Sequence, residues 1–300
     1  MTSIEKKNII ITGSSGYVAT HLLPILETEH NLICIDTIES KHTNIVGNIA
    51  EKKNFLKLDR DLSYIIINLA AARFDFNVTS ERYYDQNVIN HKNFLHNINS
   101  LKIEKFIHVS SVAAFDGEKI KYSSSLKCDD AYRATKYLQA RLINDWCKSK
   151  KIRFVELMPS AIYDKTPRKD TNIGKLQSFA KFIPFIPIIP VKKSLTYMNN
   201  FVSFISSLVV DQRTGSFLTI EQPVKTVTEI IKLNTKIKLI PIKIPLLQQI
   251  LFFFSYLFLV VWKLTKIDLK LYPNRVTKLY KDTSYDWIKN IDRTSYQTNE

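Results

Sequence analysis

Glycine is scarce in this chain, six in 300 residues, and cysteine scarcer still at three. Cys34, Cys128 and Cys147 stand far apart without metal-ligand spacing. That excludes a disulfide framework and a zinc site and suits a reducing cytoplasm. No metal centre is expected: His91, His96 and His108 have no ligand partners at useful spacing and read as packing or surface residues. A secretory hydrophobic core is missing near the start, where the apolar Ile9 to Ile11 runs straight into a glycine turn. There is no basic block interleaved with aromatics, so the net charge of +15 does not read as a nucleic-acid surface. It leaves anionic small ligands or an acidic membrane as partners. Long apolar runs are absent with one exception, Leu246 to Leu264. Its cleanest part, Ile250 to Trp262, falls short of the roughly 20 residues of a spanning helix.

What is present is concentrated in the first forty residues. Two of the six glycines fall in Thr12-Gly13-Ser14-Ser15-Gly16-Tyr17-Val18-Ala19, directly after the apolar run Asn8 to Ile11. Asp36 follows Gly13 by 23 positions, at the end of a second apolar run, Asn31 to Ile35. A strand, a glycine turn opening a helix and an acid closing the next strand describe a dinucleotide site. The glycines let backbone approach a pyrophosphate, the helix N-terminus carries its charge, and the carboxylate accepts from a ribose 2′-hydroxyl. A carboxylate repels a 2′-phosphate and no arginine follows closely, which favours NAD over NADP.

Further apolar runs, Tyr64 to Leu69, Lys105 to Val109 and Arg153 to Leu157, alternate with segments long enough for helices, Asn87 to Ser100 and Ala131 to Ser149. The expected fold class is α/β, a doubly wound parallel sheet with chemistry just beyond the carboxyl ends of its strands. Ser110-Ser111 follows the run ending at Val109, and Tyr132-Arg133-Ala134-Thr135-Lys136 comes about twenty residues later. The four-residue spacing sets Tyr132 and Lys136 on one helical face. A nearby ammonium and a cationic nicotinamide would lower the phenol from its usual pKa of about 10 and make Tyr132 a proton shuttle, with Ser111 bonding the substrate oxygen and Lys136 the nicotinamide ribose.

These motifs resemble the extended short-chain dehydrogenase/reductases, the NAD-dependent epimerase/dehydratase family of nucleotide-sugar enzymes. Ala19 stands where most members have a third glycine, and Asn48 of Val46-Gly47-Asn48-Ile49 where an aspartate usually meets the adenine. Asn68-Leu69-Ala70-Ala71 is similar to the family's motif on the fourth strand. Asn87-Val88 resembles the pair that opens the next helix, and Pro159-Ser160-Ala161-Ile162-Tyr163 the segment beside the nicotinamide. The resemblance implies catalysis by Ser111, Tyr132 and Lys136. It implies cofactor contacts from Gly13, Ser15, Gly16, Tyr17, Val18, Asp36, Asn48, Ile49, Leu69, Ala70, Ala71, Asn87, Tyr132, Lys136, Pro159, Ala161 and Ile162. Met158 and Asp164 replace the usual arginine and glycine near the last of these.

For the substrate, the resemblance implies a UDP-sugar held by Arg73, Ser111, Lys169, Asn172 and Lys193. Residues 1–165 are expected to form the Rossmann domain and 166–300 a smaller, mainly helical substrate domain, with segments near 195–220 returning to the sheet. Asp282 to Ile291 resembles the family's closing helix. Leu246 to Leu264 reads first as a helix of the substrate domain and second as one lying on an anionic membrane surface. Relatives imply a homodimer through the helices starting near Asn87 and Tyr132. The expected function is a cytoplasmic UDP-sugar 4-epimerase or 4-ketoreductase of surface polysaccharide biosynthesis. Val112-Ala113 lacks the acid and base of a dehydratase. The rivals are a 3β-hydroxysteroid-type dehydrogenase and a non-catalytic NAD-binding scaffold at a membrane glycan assembly.

Overall fold

Isoleucine-rich runs such as Asn8–Thr12 and Ser63–Asn68 carry almost no polar alternation, the pattern of strands covered on both faces. In the computed structural model, which describes residues 6–75, 77–165, 173–174, 185–233, 240–242, 246–265 and 273–285, these runs form a parallel sheet. Its strands are β1 (Asn8–Thr12), β2 (Asn31–Asp36), β3 (Ile45–Val46), β4 (Ser63–Asn68), β5 (Lys102–Val109), β6 (Arg153–Pro159) and β7 (Gly215–Thr219). Among the described residues they lie in the order β7-β6-β5-β4-β1-β2-β3, and each neighbouring pair is parallel. The strand order reverses between β1 and β4, where Leu69 N donates to Thr12 O at 3.1 Å. A crevice opens at such a switch point beyond the strand ends, and ligands of doubly wound sheets bind there.

Alternate residues of each strand feed opposite layers. Ile9, Ile11, Ile65, Ile67 and Ile107 pack under α1 (Tyr17–Leu26) and α6 (Met198–Val210). Ile10, Ile66 and Phe106 face Phe94, Ile98, Ile143 and Cys147 on the other side. That second layer holds α2 (Ser80–Tyr84), α3 (Asn90–Asn97), α4 (Ala113–Gly117) and α5 (Cys128–Lys150). Contrary to the expectation from the sequence, Asn87 does not open its helix. Thr79 caps the run through Arg82 N, and Asn87 lies eight residues further, within a π-helical turn, Asp85–Ile89, that joins α2 to α3.

Lys105 sits inside β5 with 1% exposure, which for a charge requires partners. Its Nζ donates to Leu208 O at 2.6 Å, Asp211 O at 2.8 Å and Asp211 Oδ1 at 3.1 Å, tying the end of α6 to the sheet.

Two compact units emerge, Met1–Ile162 with Thr196–Ile220, and Tyr163–Leu195 with Glu221–Lys289. The second contains α7 (Val227–Lys232), α8 (Leu247–Thr265) and α9 (Pro273–Tyr280). A capping box between Thr226 and Glu229 starts α7. The closing helix expected over Asp282 to Ile291 is absent over 282–285. There Thr283 bridges Lys193, and Ser284 donates to Asp282 Oδ1 through its N and Oγ, a local turn that competes with helix. Positions 286–291 lie outside the described residues.

Candidate active site

The turn after β1 is built for close backbone approach. Gly13 has φ +77, and a Cβ there would fall 2.8 Å from Ala70 N and 2.9 Å from Leu69 C. No side chain fits. Gly16 N donates to Gly13 O at 3.1 Å, and Gly16 is the N-cap of α1, with Tyr17 and Val18 half-buried in the first turn. No side chain caps this helix start, and the positive end of its dipole suits a pyrophosphate. Asp36 Oδ2 accepts from Ser15 N at 2.9 Å and Ser15 Oγ at 2.8 Å, while Oδ1 accepts from Ile38 N at 3.0 Å and Thr37 Oγ1 at 3.4 Å. A carboxylate offers about four acceptor sites, so a ribose hydroxyl reaches Asp36 by displacing the side-chain hydroxyl of Ser15 or Thr37. Both can turn away. These residues fit a dinucleotide.

Other sequence-named positions fall into place around that turn. Asn48 is half-buried and its Oδ1 accepts from Ala50 N at 2.9 Å, while Ile49 is buried in the core. Leu69 and Ala70 are half-buried and Ala71 is exposed beyond β4. Asn87 is completely buried: its Oδ1 accepts from Ala72 N at 2.8 Å and its Nδ2 donates to Thr135 Oγ1 at 3.1 Å. It braces the loop after β4 against α5. Pro159 ends β6 and is buried, with Ala161 exposed and Ile162 half-buried just after it.

Ser111 follows β5, its Oγ accepting from Ala113 N at 3.2 Å, and lies near enough to the phenol of Tyr132 on α5 to act on its titration. The Tyr132 ring is half-buried, edge-on to Phe74 and Tyr83 at centroid distances of 5.5 and 5.6 Å. Burial pushes the phenol up from its ordinary value, Ser111 pulls it down, and Asp129 adds to the rise. Desolvation, and not the Lys136 ammonium expected from the sequence, dominates the phenol's shift. Lys136 itself is buried, and burial pulls it down to about 7 against the attraction of Glu156.

A chain of buried hydrogen bonds fixes this lysine. Lys136 Nζ donates to Gln139 Oε1 at 2.7 Å, Gln139 Nε2 lies 2.9 Å from His91 Nε2, and His91 Nδ1 lies 3.1 Å from Gln86 O. Because a carbonyl only accepts, the proton of His91 belongs on Nδ1, leaving Nε2 to accept from Gln139. Burial and the Lys136 charge pull His91 down to about 3, so it stays neutral. His108 is also fully buried and pulled well below its ordinary value, by burial, Lys136 and His91 in that order. Neither His91 nor Gln139 was legible as a site residue, although Gln139 stands one turn beyond Lys136 on the same face of α5.

The profile of the NAD dependent epimerase/dehydratase family matches residues 9–181, more than half of the chain. The chain belongs to that family. A curated member of similar sequence is the N-acetyl-α-D-glucosaminyl-diphospho-ditrans,octacis-undecaprenol 4-epimerase of Escherichia coli O157:H7, 25% identical over 205 residues. That match covers 66% of this chain and spans only 62% of the relative's length. Solved structures share the fold. UDP-N-acetylglucosamine 4-epimerase from Bacillus cereus superposes with a TM-score of 0.64 at 16% identity, covering 79% of this chain and 86% of its own. The Methanobrevibacter ruminantium M1 UDP-N-acetylglucosamine 4-epimerase, solved with UDP-N-acetylmuramic acid, gives 0.63 at 17%, covering 81% and 87%. UDP-glucuronic acid 4-epimerase from Bacillus cereus, solved with NAD, gives 0.59 at 16%, covering 79% and 86%.

Of the substrate positions, Arg73 is exposed after β4, and Lys193 lies on the short strand Lys192–Lys193, where its Nζ donates to Lys281 O. Lys169 and Asn172 lie outside the described residues. Among the described residues no group of three His, Cys, Asp or Glu could hold a metal ion.

Proposed function

We propose that this protein is a NAD-dependent sugar 4-epimerase acting on a hexose joined to a diphosphate, a UDP-sugar in the first instance. The observation that carries this reading is Ser111 beside Tyr132, with Lys136 one turn along α5, and a turn after β1 that admits only glycine at position 13. A bound nicotinamide dinucleotide supplies reversible acceptance and return of a hydride. Tyr132 takes the proton of the sugar's 4-hydroxyl as the carbonyl forms and gives it back when the carbinol reforms. Ser111 bonds the same oxygen in both states, and Lys136 supplies positive charge that favours the phenolate. Asp36 favours NAD, since its carboxylate suits a free 2′-hydroxyl and repels a 2′-phosphate.

Support for the substrate class comes from the relatives, whose names place the sugar on UDP or on undecaprenyl diphosphate. Arg73, Lys169, Asn172 and Lys193 are the candidates for holding the substrate's polar groups, and a cytoplasmic location suits both NAD and nucleotide sugars. Val112 and Ala113 put no acid or base beside Ser111, which disfavours dehydration. The test is to release and identify the nucleotide from purified protein, then supply UDP-sugars with and without fresh reduced cofactor. Retained NAD and interconversion of C4 epimers without added cofactor support the epimerase. Turnover only with added NADH or NADPH and a 4-keto sugar replaces it with a 4-ketoreductase.

A further inference from the structure

The helix α8 carries its apolar stripe on the outside. Ile250, Phe253, Leu257 and Val260 follow one another at spacings of three and four and are 42, 67, 44 and 52% exposed. Phe254 and Tyr256, at 43 and 59%, widen the stripe. The opposite face is the one turned inward: Ser255 is completely buried, and Leu247 packs against Ile189, Val227 and Ile231. Helices of water-soluble folds turn such stripes to the core, and an exposed one of this size marks an interaction surface.

Charge decides between the occupants. From residue 230 to 267 there is no aspartate or glutamate, while Lys232, Lys236, Lys238, Lys243, Lys263 and Lys266 bracket the apolar stretch on both sides. A second copy paired through the stripe would bring together two stretches of sequence that are lysine-rich and free of acids from 230 to 267. Anionic lipid headgroups meet the lysines directly, and the acyl boundary takes phenylalanine and leucine. Among the described residues no helix is long and apolar enough to cross a membrane.

We propose that α8 docks on an anionic lipid bilayer through the stripe from Ile250 to Val260, with the flanking lysines on the headgroups. This rests on α8 alone and is independent of the reaction. The test is flotation of the full chain with phosphatidylcholine vesicles, with and without phosphatidylglycerol, for the wild type, for Phe253→Ser/Leu257→Ser and for the control Ile38→Ser, an exposed residue of the other unit. The expected result is salt-sensitive binding to the anionic vesicles, about tenfold or more weaker in the double variant and unchanged in the control. In Phe253→Trp, emission shifts to the blue on adding anionic vesicles and is quenched by brominated lipid, a readout that survives if the double variant fails to fold. No flotation, flotation indifferent to the double substitution, or a dimer in solution that the substitution splits would each overturn the proposal. NAD retention and sugar turnover are read separately, so failure here leaves the epimerase reading standing.

Discussion

Replacing Gln139 by leucine removes the acceptor at 2.7 Å that holds the Lys136 ammonium. A hydrogen bond to a charged group contributes about 1.5–3 kcal/mol, and one pH unit corresponds to about 1.4 kcal/mol. Lys136 stands at about 7 in the native protein, so roughly half of it carries a proton at neutral pH. Losing a bond to the charged form lowers the pKa by about 1–2 units. The charged fraction at pH 7 then drops to between about 1 and 10%. Lys136 is the proposed partner of the nicotinamide ribose, so NADH affinity, followed by fluorescence, should weaken as pH rises through about 7 in the wild type. In Gln139→Leu that fall should move to between about 5 and 6, read only where circular dichroism shows an intact fold. Gln139→Glu puts a carboxylate beside Nζ and should move it above 7. One common midpoint for all three proteins would refute the role assigned to the chain Lys136, Gln139, His91.

Buried imidazoles give the protein a separate acid sensitivity. His91 is held at about 3 and His108 well below 6.5, so between those values and 6.5 the unfolded chain binds more protons and stability falls as pH drops. Urea unfolding at pH 7 and 5.5 should show a loss of about 1 kcal/mol for each histidine, and His91→Gln should remove its share; an equal stability at the two pH values would count against buried neutral imidazoles. Lys105→Ala strips three acceptors of their donor and leaves Asp211 without its buried partner. Urea unfolding should register a loss of about 3–5 kcal/mol, and a loss below about 1 kcal/mol would mean that the pair is effectively solvated. Tyr132→Phe keeps the ring contacts with Phe74 and Tyr83 but has no proton to move, so epimer formation should vanish while NAD stays bound. Residual turnover near the wild-type rate would remove Tyr132 from the mechanism.

The strands β1, β2 and β4 were legible because both faces of the sheet are covered, so each appears as a nearly unbroken apolar run, and the glycine turn because positive φ and the Leu69–Ala70 backbone leave no alternative at Gly13. The helix start at Ser80 was not. Its cap at Thr79 is followed by polar residues, and the π-helical turn over Asp85–Ile89 adds a residue to the helical repeat and breaks the apolar periodicity. His91, His108 and Gln139 resemble surface polar residues in one dimension. Their roles follow from burial beside Lys136, which brings together residues up to 48 positions apart. Lys105 was legible as part of a strand, but its partner Asp211 is 106 positions away. Hydropathy found Leu246 to Leu264, yet a sum along the chain gives no hint of which side of a helix faces outward.

The central claim, reversible oxidation at C4 of a diphosphate-linked sugar, is tested most directly with UDP-N-acetylglucosamine carrying deuterium at C4, incubated with the purified protein and no added cofactor. The account predicts the C4 epimer with the deuterium still at C4, because the hydride leaves and returns within one active site. An epimer that has lost the label, or no epimer at all from this or another C4-labelled UDP-sugar, would contradict it.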